Sequence, residues 1–259
     1  MSRKSTMKNY IDLLNIAFDE CLNNDPKVMI FGLGVGDVGA VFGSMVNLQT
    51  KYGESRVFEI PLSENAVTGM ALGLAIQGYK PVMVHQRADF SFTSAEQIIN
   101  QIAKTRYTSG DFYTVPLVIR MIVGRGWGQG PTHAQSPHAI FSHVPGLRVV
   151  APASPLDGYY LMKQSIASND PIIFIEHRWL HQLTEKLIKD ESESNLFSAK
   201  IMRSGTDLTM ISLSYGVIES LKIAKVFEEL GLNIEVINLR TIQPWDKETV
   251  LKSVRKTKK

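Results

Sequence analysis

The sequence predicts an α/β protein: a parallel sheet with helices on both faces, followed by an incomplete second α/β unit. Short β-rich runs alternate with segments of helical spacing from Lys27 to Ile175, the pattern of a sheet wound with crossover helices. The run RVFEI at Arg56–Ile60 passes through Pro61 into a helix of small residues, Ala66, Gly69, Ala71, Gly73 and Ala75. A polar, charged stretch over 176–200 then gives way to a fresh alternation that begins LTMISLS, as an interdomain linker would.

In chain order, Met7–Leu22 carries apolar residues at Tyr10, Leu13, Leu14, Ala17, Phe18 and Cys21, which is helix spacing. Asn24-Asp25-Pro26 stops it, and Lys27–Phe31 is a buried strand. The string GLGVGDVG at Gly32–Gly39 leads into a helix that reaches about Tyr52. Arg56–Ile60 is the second strand, Glu64–Gln77 the second crossover helix and Pro81–His85 the third strand. Ala95–Thr108 reads as one long helix, and Val115–Met121 as a strand. Ile122–Pro137 is too rich in Gly and Pro to be regular, and long irregular loops in compact domains are usually functional. Leu147–Val150, Leu156–Ala167 and Pro171–Ile175 follow as strand, helix and strand. The second unit is LTMISLS, a helix over Gly216–Leu230, the strand NIEVINL and a helix from Asp246.

The chain has 259 residues, 44% hydrophobic and 20% charged, an ordinary globular balance. A net charge of +3 is too mild to argue for nucleic acid. Basic residues gather in Arg3–Lys4 and Lys252–Lys259, as in solvated tails. The single cysteine, Cys21, forms no intrachain disulfide and no CxxC metal site. No run of about 18 apolar residues is present, so no membrane span is expected, and the start MSRKSTMKNY lacks a signal-peptide core. The expected location is cytoplasmic.

The residues that carry chemistry sit at strand ends. Glycine inside a helix costs about 1 kcal/mol against alanine, so Gly69 and Gly73 point to a close approach by another element. Glu64 opens that helix, at the positive end of its dipole and just past a strand end, where open α/β sheets hold ligands. Its structural alternative is a helix-capping glutamate. Phe90, in RADFSF, also lies just past a strand. His133 lies in GPTHAQSPHA on the irregular loop, near His138 and His143. Histidine spacings of this kind without carboxylates or cysteines are poor evidence for a metal. The Gly-x-Gly at Gly32 and Gly34, with Glu59 at the end of the next strand, also admits a dinucleotide-binding oxidoreductase. That reading leaves SENAVTG, GPTHAQSPH and the second unit unexplained.

The segment PLSENAVTGMALGLAIQGYKPV resembles a conserved stretch of the β subunits of thiamine-diphosphate-dependent 2-oxo acid dehydrogenases (pyruvate, branched-chain and acetoin types), within the transketolase-like group. The resemblance continues through DFSFTSAEQIINQIAKTRYTSG, VPLVIR, GPTHAQSPHA, PGLRVVAPASPLDGYYLMKQSI and NDPIIFIEHR, from about Met7 to Lys256. Many matched segments in one order are more specific than any single motif. It implies a pyrimidine-binding domain over 1–180, a linker over 181–205, and the first part of a C-terminal domain over 206–259, which in the family continues for several more strands.

The resemblance also implies roles. Glu64 matches the glutamate that bonds the aminopyrimidine ring nitrogen of thiamine diphosphate and favours its imino tautomer, which then takes the thiazolium proton. Phe90 matches the aromatic that stacks on that ring, and Leu62 an apolar residue beside it. His133 matches a histidine that faces cofactor and oxo acid and assists acyl transfer; imidazole suits this because its charge changes near neutral pH. A potassium site built from backbone carbonyls falls at Leu117, Ser165, Ser168 and Asp170. The diphosphate and Mg²⁺ belong, in the family, to an α subunit with G-D-G and N-N; the nearest string here is Gly36-Asp37-Val38. The implied assembly is α2β2, with a β–β dimer and a lipoyl-bearing acyltransferase as the next acceptor.

One position departs from the family. Gly32-Leu33-Gly34-Val35 stands where G-E-[DE]-V is usual, and Leu33 cannot carry the proton that the family's acid passes between paired sites. A divergent or non-catalytic subunit, or another transketolase-like synthase, therefore stays open beside the dehydrogenase.

Overall fold

The computed structural model describes residues 7–187, 195 and 198–259. The tail residues Arg3–Lys4, and residues 188–194, 196 and 197 of the expected linker, lie outside the described residues.

The chain opens with β1 (Met7–Asn9) and α1 (Tyr10–Asn24). Asn9 caps α1, its side chain accepting from the Asp12 amide at 2.8 Å, which satisfies one of the orphan donors of a helix start. Tyr10, Leu13, Leu14, Ala17, Phe18 and Leu22 form its buried face. There follow β2 (Val28–Gly32), α2 (Leu48–Tyr52), β3 (Val57–Phe58), α3 (Glu64–Ile76) and β4 (Lys80–His85). A 3₁₀ segment (Ala88–Ser94) and a π segment (Gln97–Ile102) lead into α4 (Ala103–Thr108). Then come β5 (Val118–Val123), a 3₁₀ turn (Pro131–His133), α5 (His138–Ser142), β6 (Arg148–Val150), α6 (Pro155–Ala167) and β7 (Ile172–His177). A further 3₁₀ turn (Arg178–Gln182) precedes β8 (Thr184–Lys186). The rest is β9 (Lys200–Arg203), β10 (Leu208–Ser212), α7 (Tyr215–Glu228), β11 (Ile234–Asn238), β12 (Thr241–Gln243) and α8 (Lys247–Thr257).

The main sheet has seven strands in the order β12-β6-β7-β5-β4-β2-β3. All neighbours are parallel except β12, which pairs antiparallel with β6. The inner strands are mostly apolar because helices cover both faces, with Arg120 of β5 and Glu176 of β7 among the buried exceptions. One core gathers α1, α6 and one side of β2, β4, β5 and β7, with Ile30, Val82, Val118 and Phe174. The other gathers α3, the π segment and α5 on the opposite side, with Phe31, Met83, Ile119 and Ile175.

Several expected elements change. The strand expected over Arg56–Ile60 shrinks to Val57–Phe58, because β3 is a sheet edge. The helix expected up to Tyr52 is only its last turns. Before it, Ala40, Val41 and Phe42 take φ of 40°, 48° and 60°, a left-handed region that a right-handed helix cannot enter. The long helix expected over Ala95–Thr108 is broken by the π segment. Met7–Asn9, expected as helix, is a strand that pairs antiparallel with β8 inside the expected linker. β9 lies in that linker too and pairs antiparallel with β11, giving the small sheet β10-β11-β9. β12, from the expected second domain, joins the main sheet. Three-residue strands have too little periodicity to be read from sequence.

Asp157 of α6 fastens the small sheet to the main one. It accepts from the Asn238 side chain at 2.7 Å and from Arg240 Nε at 2.9 Å. All three residues are buried. A second buried network ties β5 to β7. Arg120 Nη2 donates to Glu176 Oε1 at 2.6 Å and Nη1 to Ser44 Oγ at 2.7 Å, while Tyr10 Oη donates to Glu176 Oε2 at 3.2 Å. His181 Nε2 closes it at 3.1 Å from Glu176. Burial alone would push the Glu176 carboxyl up, but Arg120 and His181 outweigh it and hold the group at about 2.

Candidate active site

Glu64 is the first residue of α3, and a short connection separates it from the end of β3 at Phe58. Ser63 makes no side-chain cap there, so the first-turn amides, which lack intrahelical partners, leave the positive helix end open beside Glu64. Among the described residues the Glu64 carboxylate has no hydrogen-bond or ion-pair partner in this chain. A capping role would have shown a bond from that carboxylate back to the helix start. Leu62, two residues earlier, is 79% exposed. A Cβ at Gly69 would sit 3.2 Å from Gln97 Oε1, so the π segment makes the close approach that the glycine implied; among the described residues, nothing beyond Gly73's chain neighbours and its own helix backbone lies within 4 Å of a Cβ there.

The 3₁₀ segment after β4 packs on α3 and on the 3₁₀ turn that carries His133. Phe90 and His133 meet edge to face, with ring centroids 5.4 Å apart, the geometry aromatic quadrupoles favour. The His133 loop is clipped to this segment from both sides. Arg87 Nε donates to Gln129 Oε1 at 2.9 Å, and Gln135 Nε2 donates to Asp89 Oδ1 at 2.8 Å. Sequence reasoning missed these four residues as positioning groups. The string RADF was in view, but the partners lie more than forty positions away in the chain. Thr132 Oγ1 lies 3.0 Å from His133 Nδ1. Leu62, Glu64, Phe90 and His133 thus lie on neighbouring elements at the carboxyl end of the sheet.

The other sequence candidates go elsewhere. His138 lines a cavity whose lining does not include His133, and burial pushes its imidazole down to about 4. His143 is exposed at the end of α5. Among the described residues no His, Cys, Asp or Glu cluster could hold a metal. Leu117, Ser165, Ser168 and Asp170 do converge, at the opposite end of the strands. Three of their carbonyls already accept within the chain: Leu117 from the Ile172 amide at 2.8 Å, Ser165 from the Ser168 amide at 3.2 Å, and Asp170 from Ser168 Oγ at 3.3 Å. Each keeps one more lone pair. A cavity of about 660 Å³ opens at that same end. Its charged groups pair with one another, Arg148 with Asp170 at 2.5 Å and Arg106 with Asp170, so its volume is a weaker guide than the free carboxylate at the other end.

The glycine string after β2 is occupied by its own neighbour. Glu59 accepts from the Gly34 amide at 2.6 Å and the Gly36 amide at 3.0 Å. A carboxylate fills the backbone nest that a pyrophosphate would need, and the Gln86 amide crowds Gly34 at 1.9 Å from a built Cβ. The dinucleotide reading fails on this ground. Leu33 is partly buried against the α3 core.

Loosening of the His133 loop has a direct check. Asp89→Ala removes the Gln135 clip; because Gln135 itself is exposed, the cost is that of one hydrogen bond, about 0.5–1.5 kcal/mol. Hydrogen exchange of the amides over 125–137 is expected to accelerate while α3 stays protected. Unchanged loop protection would show that the clip does not position His133.

The transketolase pyrimidine-binding-domain family model matches residues 6–182, and the transketolase C-terminal-domain model matches 198–259. A pyruvate dehydrogenase E1 component subunit beta from Staphylococcus aureus is 40% identical over 248 residues, covering 95% of this chain and 76% of that protein. Its counterpart from Staphylococcus epidermidis is 39% identical over the same length. Among solved structures, a split-gene transketolase described as an inactive beta4 tetramer superposes with a TM-score of 0.79 at 18% identity, covering 96% of this chain and 76% of that one. At that identity the likeness is one of fold.

Proposed function

The chain belongs to the transketolase-like family of pyruvate dehydrogenase E1 β subunits, and from that premise we propose that it supplies the aminopyrimidine half of a thiamine-diphosphate site in a 2-oxo acid dehydrogenase. The observation that carries this reading is the unpartnered Glu64 carboxylate at the open start of α3, flanked by exposed Leu62 and the Phe90–His133 pair. A flat, nitrogen-bearing ring fits these groups: a carboxylate for the ring nitrogen, an aromatic face and an apolar side chain for the rest.

When bound, thiamine diphosphate supplies a thiazolium carbon that loses a proton and an aminopyrimidine that can accept one. This chain's residues do the positioning. Glu64 Oε holds and releases a proton at the ring nitrogen. Phe90 and Leu62 bracket the ring and exclude water. His133, fixed by the Arg87 and Asp89 clips, faces the oxo acid and handles a proton during acyl transfer.

The diphosphate and its Mg²⁺ belong on a separate α subunit in an α2β2 assembly. The exposure of Leu62 at 79% and Met70 at 41%, on the α3 side, supports a partner face there. A β–β contact, a lipoyl-bearing acyltransferase as acceptor, a K⁺ ion on the Leu117, Ser165, Ser168 and Asp170 carbonyls, and a cytoplasmic location complete the proposal. Among the described residues no helix is long and apolar enough to cross a membrane. The proposed division is 1–180 and 206–259 with a linker over 181–205, from which β9 joins the small sheet, while β12 crosses back into the first sheet.

Calorimetry tests the split site. Thiamine diphosphate with Mg²⁺ is expected to bind the isolated chain weakly and to saturate one site per αβ pair once the α subunit is added. Tight stoichiometric binding to the isolated chain would sink the reading.

A further inference from the structure

A cavity of about 310 Å³ opens at the carboxyl end of the main sheet and is used by none of the groups assigned above. Arg125, just past β5, and Trp179, just past β7, form one wall; His138 of α5 forms another; Ser214 and Glu219, at the start of α7, form the third. Two of these residues present polar atoms that are buried and have no partner, Ser214 Oγ and His138 Nε2. Ser214 is only 4% exposed. Buried polar groups in native proteins are almost always satisfied, so an unpaired hydroxyl and one unpaired imidazole nitrogen on residues lining one cavity point to a ligand that pairs them.

The electrostatics choose its charge. Ser214 is the N-cap of a 14-residue helix yet makes no side-chain cap bond. The Val217 amide already donates to the Ser214 carbonyl at 3.1 Å, so the amides of Tyr215 and Gly216 are those left to the cavity's occupant, and helix starts with open amides bind anions. Arg125 has no carboxylate partner among the described residues; its guanidinium lies 5.7 Å from the centre of the Trp179 ring. After burial, Arg125 is the strongest influence holding the neighbouring His177 down, to about 4, as expected beside an unneutralised cation. Glu219 is the one opposing carboxylate on the lining. The remaining walls are flat: Tyr215 stacks on His177 at 5.3 Å and meets Trp179 edge to face at 5.0 Å. The volume sits at the small end of the ligand-pocket range of about 300–1,000 Å³, which fits a small metabolite.

We propose that this cavity binds a small organic anion, through carboxylate or phosphoryl oxygens held between Arg125, Ser214 and the start of α7. The loop that carries His133 supplies Ala134, Ser136 and His138 to the same cavity, so an occupant also braces that loop.

Trp179 gives the readout. The full chain is titrated at constant ionic strength with inorganic phosphate and, separately, with pyruvate, and tryptophan fluorescence is followed. At least one anion is expected to give a saturable change. A response to phosphate alone assigns a phosphoryl source, and a response to pyruvate alone a carboxylate. Arg125→Gln is expected to weaken binding about tenfold or more, since it removes the charge-assisted bonds, and Ser214→Ala several-fold. Glu219→Gln is expected to tighten binding, a gain that misfolding cannot produce. The proposal is overturned if neither anion saturates at tens of millimolar, or if Arg125→Gln binds as wild type. It is also overturned if pyruvate binding is lost in His133→Ala and kept in Arg125→Gln, which would place the anion at His133 instead.

Discussion

Glu64→Gln is expected to slow proton exchange at the thiazolium carbon by at least ~100-fold in the assembled α–β enzyme, the scale of losing one positioned acid–base partner. Glutamine keeps the length and the hydrogen bond of glutamate, but its amide cannot trade a proton with the ring nitrogen. Among the described residues the Glu64 carboxylate has no partner in its own chain, so the substitution breaks no described contact of the fold. Thermal stability of the isolated chain should therefore change little, which separates a chemical effect from a structural one. Cofactor affinity should also change less than exchange, because the diphosphate end is held by the partner. The measurement is thiazolium proton exchange into deuterated water, followed by NMR. Exchange at the wild-type rate in Glu64→Gln would reduce Glu64 to an ordinary first-turn residue and remove the pyrimidine assignment with it.

Arg120→Met is expected to destabilise the chain by about 3–5 kcal/mol, the usual result of stranding one member of a buried ion pair. Arg120 and Glu176 are both fully buried. Without the guanidinium, the Glu176 carboxylate keeps only Tyr10 and His181 as partners, and burial then drives it toward the neutral acid. The pH dependence follows from the same pair. Glu176 is held at about 2 against an ordinary 4.5. A depressed carboxyl contributes stability above its unfolded value and loses it as pH falls through the folded one. In wild type this contribution should fade between about pH 4.5 and pH 2; in Arg120→Met that acid-labile part should be absent. Urea unfolding at several pH values decides it. The double variant Arg120→Met with Glu176→Leu should recover much of the loss, because an apolar pair of similar volume often replaces a buried ion pair without penalty. If the single variant unfolds at the wild-type urea concentration, the network does not hold β5 to β7.

The alternation of strands and helices, the helix opened by Glu64, and the irregular loop around His133 were all legible from residue spacing alone. They are local properties. Hydrophobic period, small-residue runs and Gly/Pro content depend only on near neighbours in the chain, and each survives in α3, β4, β5 and the 3₁₀ turn at Pro131–His133. The family resemblance added roles to Glu64, Leu62, Phe90 and His133 in the same way, segment by segment.

What tertiary structure decided was everything that rests on partners distant in sequence. Glu59 looked like a ribose-binding acid until its carboxylate was found closing the Gly34 and Gly36 amides. The strands β1, β8, β9 and β12 are too short to show a period, and exist because an antiparallel neighbour completes their hydrogen bonds. β12 returns to the main sheet because the Asp157–Arg240–Asn238 cluster anchors the turn before it. The clips from Arg87 and Asp89 that set His133 against Phe90 join residues more than forty apart. Sequence determined which residue types stand at the strand ends; only packing determined which of them share a cavity, since a buried polar group selects its partner by distance in space and not along the chain.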